Sequence, residues 1–365
     1  MATPFDDRLR RAVTATREAE LGALLLTPSA DLRYLTGYDA PAFERLTCLV
    51  LRPGADPVLL VPELERPRAA ASPVGERIEL ASWPDGEDPY AVLGGMVSGQ
   101  GVVAVSDMTW AVHLLGLQRA VPGATWRAGS AVVSSLRERK DPQELELLAR
   151  AARGADEAFR RVTALRMGGL REEEVAEALD GLLREHGHDT VEFTIVASGP
   201  NGASPHHEPG ARPIRAGEEV VMDFGGTVGG YCSDITRTVV VERPPDGFSQ
   251  VYDVVQEAQE AAFRAVRPGV AAEDVDAAAR EVIAMAGYGE HFVHRTGHGI
   301  GLDVHEPPYI VTGNREPLEP GMCFSIEPGI YLEGRYGVRI EDIVTVTETG
   351  AQRLNRASRD LETVA

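Results

Sequence analysis

Cysteine and positive charge are both scarce in this 365-residue chain. Its three cysteines, Cys48, Cys232 and Cys323, form neither an even set nor a Cys-x-x-Cys pair. A disulfide framework or thiolate metal site is therefore not expected, and they read as reduced core thiols. With 36 Lys and Arg against 56 Asp and Glu, the formal charge is -20. That balance removes the basic face that nucleic-acid phosphates require. No apolar run reaches the ~20 residues that span a bilayer, and Met1 to Arg11 is polar and charged rather than a basic-then-apolar leader. The expectation is a cytoplasmic protein with neither a nucleic-acid nor a membrane partner. No Gly-x-Gly-x-x-Gly follows a strand, and Gly297 to Gly301 lacks the Lys-Ser/Thr of a phosphate loop. Asp223-Phe224-Gly225 imitates a kinase metal motif, but no His-Arg-Asp catalytic loop accompanies it.

What is present is enough apolar material for a sizeable core, 43% of the chain, and a length that suggests two domains. A charged helix over Asp6 to Glu20, strands at Ala23 to Leu26, Leu46 to Leu51, Val58 to Val61 and Gly101 to Val105, and a short helix stopped at Gly37 describe a small α/β domain. The boundary lies before Asp141-Pro142-Gln143-Glu144, which combines an N-cap, a proline at the first helical position and a glutamate three residues after the cap. The expected domains are therefore 1–135 and 136–365, in an α/β (α+β) chain. The residues after Gly350 are polar and read as a surface tail.

The second domain is organised around two strand-turn-strand units, each with an acid in both arms. Asp223 and Asp234 lie in apolar, Gly-interrupted runs from Glu218 to Val241, and Glu327 and Glu341 lie in the runs from Gly321 to Val346. Gly217 and Gly321, Asp223 and Glu327, and Phe159 and Phe263 are each separated by 104 residues, so the region reads as a duplicated unit. A pseudo-two-fold would bring four carboxylates to one centre. Without cations they would repel strongly, and a two-metal site is expected. His294, His298 and His305 lie between the two acid pairs, and the glycines around His298 permit close backbone approach.

Taken together, Asp223, Ser233-Asp234-Ile235-Thr236-Arg237-Thr238, Gly297-His298-Gly299-Ile300-Gly301, Ile326-Glu327-Pro328-Gly329 and Arg339-Ile340-Glu341-Asp342 resemble the motifs of the pita-bread metallopeptidases. That family includes methionine aminopeptidases, aminopeptidase P and prolidase. The resemblance covers Asp141 to Thr347, and the smaller first domain resembles the creatinase-like domain of prolidases and aminopeptidases P. It implies that Asp223, Asp234, His298, Glu327 and Glu341 hold two divalent cations, with Asp234 and Glu341 bridging. An oxygen-rich set with one imidazole suits Mn2+, with Co2+ or Zn2+ as alternatives.

The resemblance also implies that Glu327 shuttles protons, His305 meets the scissile carbonyl, His294 lines a prolyl pocket and Arg339 holds a bridging carboxylate. The segment Ser198-Gly199-Pro200-Asn201-Gly202-Ala203-Ser204-Pro205-His206-His207 resembles one ending in a proton-handling histidine. His206 matches by spacing, and a one-residue shift would exchange it with His207. Where prolidases of the family often place a carboxylate-gripping arginine, this chain has Tyr309, and Arg45 of a neighbouring subunit's loop is the expected substitute. The implied activity is cleavage of Xaa-Pro dipeptides by a homodimer. Xaa-Pro aminopeptidase activity on longer peptides, a metal-free creatinase-like hydrolase and a catalytically silent binding module are the alternatives.

Overall fold

The computed structural model describes residues 4–97, 99 and 101–365. The chain divides into two compact units, 1–137 and 138–365, two residues beyond the break expected from the sequence. In the first unit, β1 (Ala23–Leu26), β2 (Cys48–Leu51), β3 (Val58–Pro62), β4 (Glu79–Trp83), β5 (Val102–Val105) and β6 (Thr125–Ala128) form a mixed sheet in the order β4-β3-β2-β1-β5-β6. Strands β1, β2 and β3 are buried at every position, as their unbroken Leu/Val runs require when both faces are covered. Helices α1 (Pro4–Glu18), α2 (Ala30–Thr36), α3 (Arg66–Ala70), α4 (Pro89–Val97), α5 (Ala111–Ala120) and α6 (Ser130–Arg137) complete it.

The second unit opens with α7 (Pro142–Val162). Asp141 Oδ1 accepts from the Gln143 and Glu144 amides, and Glu144 Oε2 accepts from the Asp141 amide. This capping box contributes about 1 kcal/mol. Next come α8 (Glu172–Glu185), β7 (Thr190–Ser198), β8 (Glu219–Val228), β9 (Tyr231–Cys232) and β10 (Ile235–Val241). A second half follows with α9 (Phe248–Ala265), α10 (Ala272–Met285), β11 (Gly297–Gly299), β12 (Glu306–Ile310), β13 (Cys323–Ile326), β14 (Gly329–Leu332), β15 (Tyr336–Arg339), β16 (Asp342–Val346), β17 (Ala351–Arg353) and β18 (Glu362–Val364).

Strands β18-β10-β8-β7, with β9 paired to β8, make the sheet of the first half, and β12-β11-β13-β16-β17 that of the second. Each sheet lies under its own helix pair. Phe159, Leu179, Met222 and Val239 are among the core residues of one half, and Val255, Ile283, Phe324 and Val344 of the other. The repeat is visible in detail: α8 and α10 are each 14 residues long, and isolated bridges Arg171 to Pro213 and Ala271 to Pro317 precede them in the same way. The halves are knitted where β10 meets the segment 339–342. Thr238 Oγ1 donates to Arg339 O at 2.9 Å, the Glu341 amide donates to Thr236 O at 3.1 Å, and Arg237 pairs with Asp342 at 2.6 Å with both side chains buried.

Two expectations need correction. The second acid-bearing unit is not one hairpin: β13 pairs with β16 and β14 with β15, with Glu327 and Glu341 at the two breaks. Pro328, which lacks an amide hydrogen, stands at the first break. The chain after Gly350 is not a surface tail either. Strand β17 extends the second sheet, β18 adds in parallel to β10, and Leu354, Asn355 and Val364 are buried. Strands of three residues carry too little alternation to be read from a polar sequence.

Candidate metal centre

The two halves bring five side chains to one cavity. Asp223 comes from the middle of β8, Asp234 from the link between β9 and β10, His298 from the centre of β11, Glu327 from the link after β13, and Glu341 from the link between β15 and β16. The approach of β11 depends on its glycines. A Cβ at Gly297 would lie 1.9 Å from Ser325 O, and one at Gly299 2.2 Å from Pro307 O, so only glycine lets the His298 backbone sit this close to its neighbours. The cavity encloses about 610 Å3, and His206, His294, Arg295, His305 and Arg339 also line it.

The donor atoms fit a cation. Ligand atoms of Asp234, His298 and Glu341 all lie within 4.8 Å of one another. Oδ1 of Asp223, Oδ1 of Asp234 and Oε1 of Glu341 are buried without a hydrogen-bond partner, a costly arrangement unless a positive ion completes it. His298 contributes a lone pair: Nδ1 donates to Gly299 O at 3.1 Å, so Nε2 faces Glu327 at 3.3 Å and Asp234 at 3.6 Å. Burial, with His305 beside it, lowers the His298 pKa to about 3, so the imidazole is neutral and able to ligate. Burial and then the charges of Glu341, Asp223 and Glu327 push Asp234 well above the usual carboxylate range. Glu341 is raised in the same way by burial, Glu327 and Asp223. Burial raises Glu327 to about 7 against the pull of Arg339.

Around these donors the side chains are held in place. Arg339 Nη2 donates to Asp223 Oδ2 at 2.5 Å, so its direct partner is not a carboxylate expected to bridge. It reaches Glu341 through Thr236, whose Oγ1 accepts from Arg339 Nε at 3.1 Å and donates to Glu341 Oε2 at 2.7 Å. Arg339 Nη1 donates to the Tyr331 hydroxyl at 2.9 Å. That hydroxyl in turn donates to His294 Nε2 at 2.8 Å, while His294 Nδ1 donates to Arg295 O at 2.7 Å. Both nitrogens of His294 are thus committed, and burial with Arg339 nearby lowers its pKa to about 4. It offers the cavity a ring face rather than a proton. Ser325 Oγ donates to Glu327 Oε1 at 3.0 Å and accepts from the His298 amide at 3.0 Å, orienting one side chain and one strand together.

Of the adjacent histidines, His206 lines the cavity, whereas His207 Nε2 donates to Glu172 Oε2 at 2.9 Å. Arg45 belongs to the first unit, where Asp85 and Glu44 hold its guanidinium at 2.9 and 2.7 Å. Tyr309 is not among the cavity-lining residues; its ring packs under the guanidinium of Arg295, 4.6 Å from the centroid. Arg295, Phe193, Ile195, Tyr331 and Thr236 escaped the sequence reading as site residues. Thr236 lies inside the motif that carries Asp234, and Arg295 directly follows His294, which was the available signal. Phe193 and Ile195 look like ordinary strand residues and gave none.

The model of metallopeptidase family M24 matches residues 146–348, and that of the creatinase/prolidase N-terminal domain matches residues 8–139. A protein named probable dipeptidase PepE from Mycobacterium tuberculosis is 47% identical over 365 residues, covering 99% of this chain and 96% of its own length. The Xaa-Pro dipeptidase of Lactobacillus helveticus is 38% identical over 346 residues, covering 91% and 92%. The crystal structure of dipeptidase PepE from Mycobacterium ulcerans superposes with a TM-score of 0.94 at 46% identity, covering 99% of this chain and 98% of that one. With five metal-type donors on a duplicated α/β scaffold and these matches along its length, the chain belongs to metallopeptidase family M24 and carries a creatinase/prolidase N-terminal domain.

Proposed function

We propose that this chain is a dinuclear-metal Xaa-Pro dipeptidase with Asp223, Asp234, His298, Glu327 and Glu341 as ligands. The observation that carries the reading is the set of partnerless buried carboxylate oxygens facing a neutral imidazole in a cavity of peptide size. Relatives named dipeptidase and Xaa-Pro dipeptidase that align over nearly the whole chain support the substrate class. These five side chains would hold two divalent cations, Mn2+ for this oxygen-rich set with Co2+ or Zn2+ as alternatives, and such a pair would supply an acidified water and a polarised scissile carbonyl.

The chain's own groups do the rest. Glu327, whose Oε1 accepts from Ser325, takes the proton shed by the attacking water on Oε2, the oxygen that Ser325 leaves free, and delivers it to the prolyl nitrogen as the C–N bond breaks. Burial, with Arg295 nearby, lowers the His305 pKa, so a neutral imidazole donates its N–H to the carbonyl oxygen as charge develops there. His206 is the other cavity imidazole with a proton to give, since both nitrogens of His294 are engaged. The His294 ring, set edge to face against Phe292 at 5.1 Å, forms a wall for a proline ring. A prolyl nitrogen brings no amide hydrogen and needs no acceptor here.

Arg295 favours dipeptides over longer chains. It lines the cavity and makes no ion pair with an acid among the described residues, so it can meet a substrate carboxylate. This makes Arg295, rather than Arg45 or Tyr309, the proposed grip. Three buried free cysteines suit a reducing cytoplasm. A homodimer is inferred from the exposed apolar side chains Phe43, Met108, Trp110 and Leu115 on the first unit.

The test is Mn2+-supplemented hydrolysis of Xaa-Pro against Xaa-Pro-Yaa, with metal counted by elemental analysis. Two ions per chain and cleavage of the dipeptide are expected. A protein that binds no metal at saturating Mn2+, or that releases the first residue only from the longer peptide, removes the dipeptidase reading.

A further inference from the structure

A glutamate outside the cavity is committed entirely to the strip of chain that carries His206. Glu172, the first residue of α8, has a fully buried side chain. Its Oε1 accepts from the Ser198 amide at 2.8 Å, Ser198 Oγ at 2.7 Å and Asn201 Nδ2 at 3.0 Å, and its Oε2 accepts from His207 Nε2 at 2.9 Å. Burial would push Glu172 up, but the bonds from Ser198, His207 and Asn201 outweigh it and hold the carboxylate below the usual glutamate range. The same helical turn also grips the far end of the strip: the Glu172 amide donates to Arg212 O at 3.0 Å and the Glu173 amide to Gly210 O at 3.1 Å. The strip from Ser198 to Arg212 is thereby fastened at both ends and in the middle to one turn of α8. On the cavity side, Arg339 Nη1 reaches Pro205 O at 3.4 Å.

Both histidines sit at a tight turn, where the His207 amide donates to Ser204 O at 3.2 Å. His207 turns away from the cavity to Glu172 while the neighbouring His206 lines it. We propose that the Glu172–His207 hydrogen bond is a positioning device that fixes the direction of the His206 imidazole, making His207 and Glu172 positioning residues for the reaction proposed above. The proposal rests on that reading for its kinetic readout and on geometry for its structural one.

The experiment uses the full chain loaded with Mn2+ and compares His207→Phe, which cannot donate, with His207→Gln, which can donate to the same carboxylate oxygen. Misplacing a catalytic group is expected to lower kcat of His207→Phe by about 10- to 100-fold with KM, metal content and Tm close to wild type, and His207→Gln is expected to recover most of that loss. In the wild type, imidazole nitrogen NMR should report a protonated, hydrogen-bonded Nε2 on His207 that Glu172→Ala abolishes. Wild-type kcat in His207→Phe, or a His207→Gln variant as slow as His207→Phe, overturns the proposal. A freely exchanging His207 Nε2 proton also overturns it, even if the phenylalanine variant fails to fold. If the wild type cleaves no Xaa-Pro dipeptide, the functional reading falls, and the NMR result still decides whether the anchor exists.

Discussion

At the scale of single residues, the cavity combines side chains whose hydrogen bonds are fully spent with a few that have capacity left. Arg339 is spent on Asp223, Thr236, Tyr331 and Pro205, whereas among the described residues Arg295 makes no ion pair and stacks over the Tyr309 ring. Arg295→Ala should therefore raise KM for Xaa-Pro about 10-fold or more with kcat little changed, the loss of a charge-assisted contact made equally in ground and transition states. The discriminating measurement is the same variant on Xaa-Pro-amide: an equal penalty there would mean that the guanidinium does not read the terminal carboxylate. A second residue-scale effect lies away from the cavity. Glu219 is almost completely buried, with Oε1 partnerless, and burial pushes its pKa to about 9. Between the unfolded value near 4.5 and about 9, the folded chain keeps a proton that the unfolded chain loses. Stability from this group is thus fully present below pH 4.5 and falls as pH rises through the window. Glu219→Gln, neutral at every pH, should match wild type near pH 4.5 and exceed it by a few kcal/mol at pH 8 in urea melts. A difference independent of pH would mean that Glu219 is ionised in the native state.

Among the elements, those with strong local chemistry were legible and those defined by partners were not. Helix α7 announced itself through Asp141, Pro142 and Glu144, and the capping box is there. Helix α8 runs from Glu172 to Glu185, with three acids in its first turn and Arg184 in its last. The acids of the first half were legible because a carboxylate inside an apolar strand needs a partner. Which neighbouring atoms hold them was not, since Thr236 and Tyr331 reach the centre only through the pairing of β8 with β10 and of β14 with β15. The last two strands were missed because their stability comes from elsewhere. Asn355 Oδ1 accepts from the buried Ile343 amide at 2.8 Å, and the Gly168 amide donates to Ala365 O at 3.2 Å. Asn355→Ala leaves that amide unsatisfied and should cost about 1–3 kcal/mol by chemical denaturation. A neutral outcome would show that this hydrogen bond contributes nothing to holding the segment in place.

For the molecule as a whole, the proposed metal centre is also the place where the two halves of the second unit are joined. Asp223 and Asp234 come from one half, and His298, Glu327 and Glu341 from the other. Without cations, buried carboxylates face one another across that join, and burial, followed by their mutual charge, raises Asp234 and Glu341 well above the usual range. The stripped protein therefore carries a repulsion that the loaded protein turns into a cross-link. Asp234→Asn should melt higher than wild type in EDTA, by the equivalent of about 1–3 kcal/mol, because a buried acid is replaced by a neutral isostere. Adding Mn2+ should reverse the order. Wild type gains roughly 2.7 kcal/mol per site at a hundredfold excess over Kd, while a variant lacking a ligand gains less and loses activity. Thermal denaturation of both proteins in EDTA and in MnCl2 checks all four values. Equal melting of wild type under the two conditions would show that no ion links the halves, and an Asp234→Asn variant less stable than wild type in EDTA would show that the carboxyl group is held by protein contacts alone.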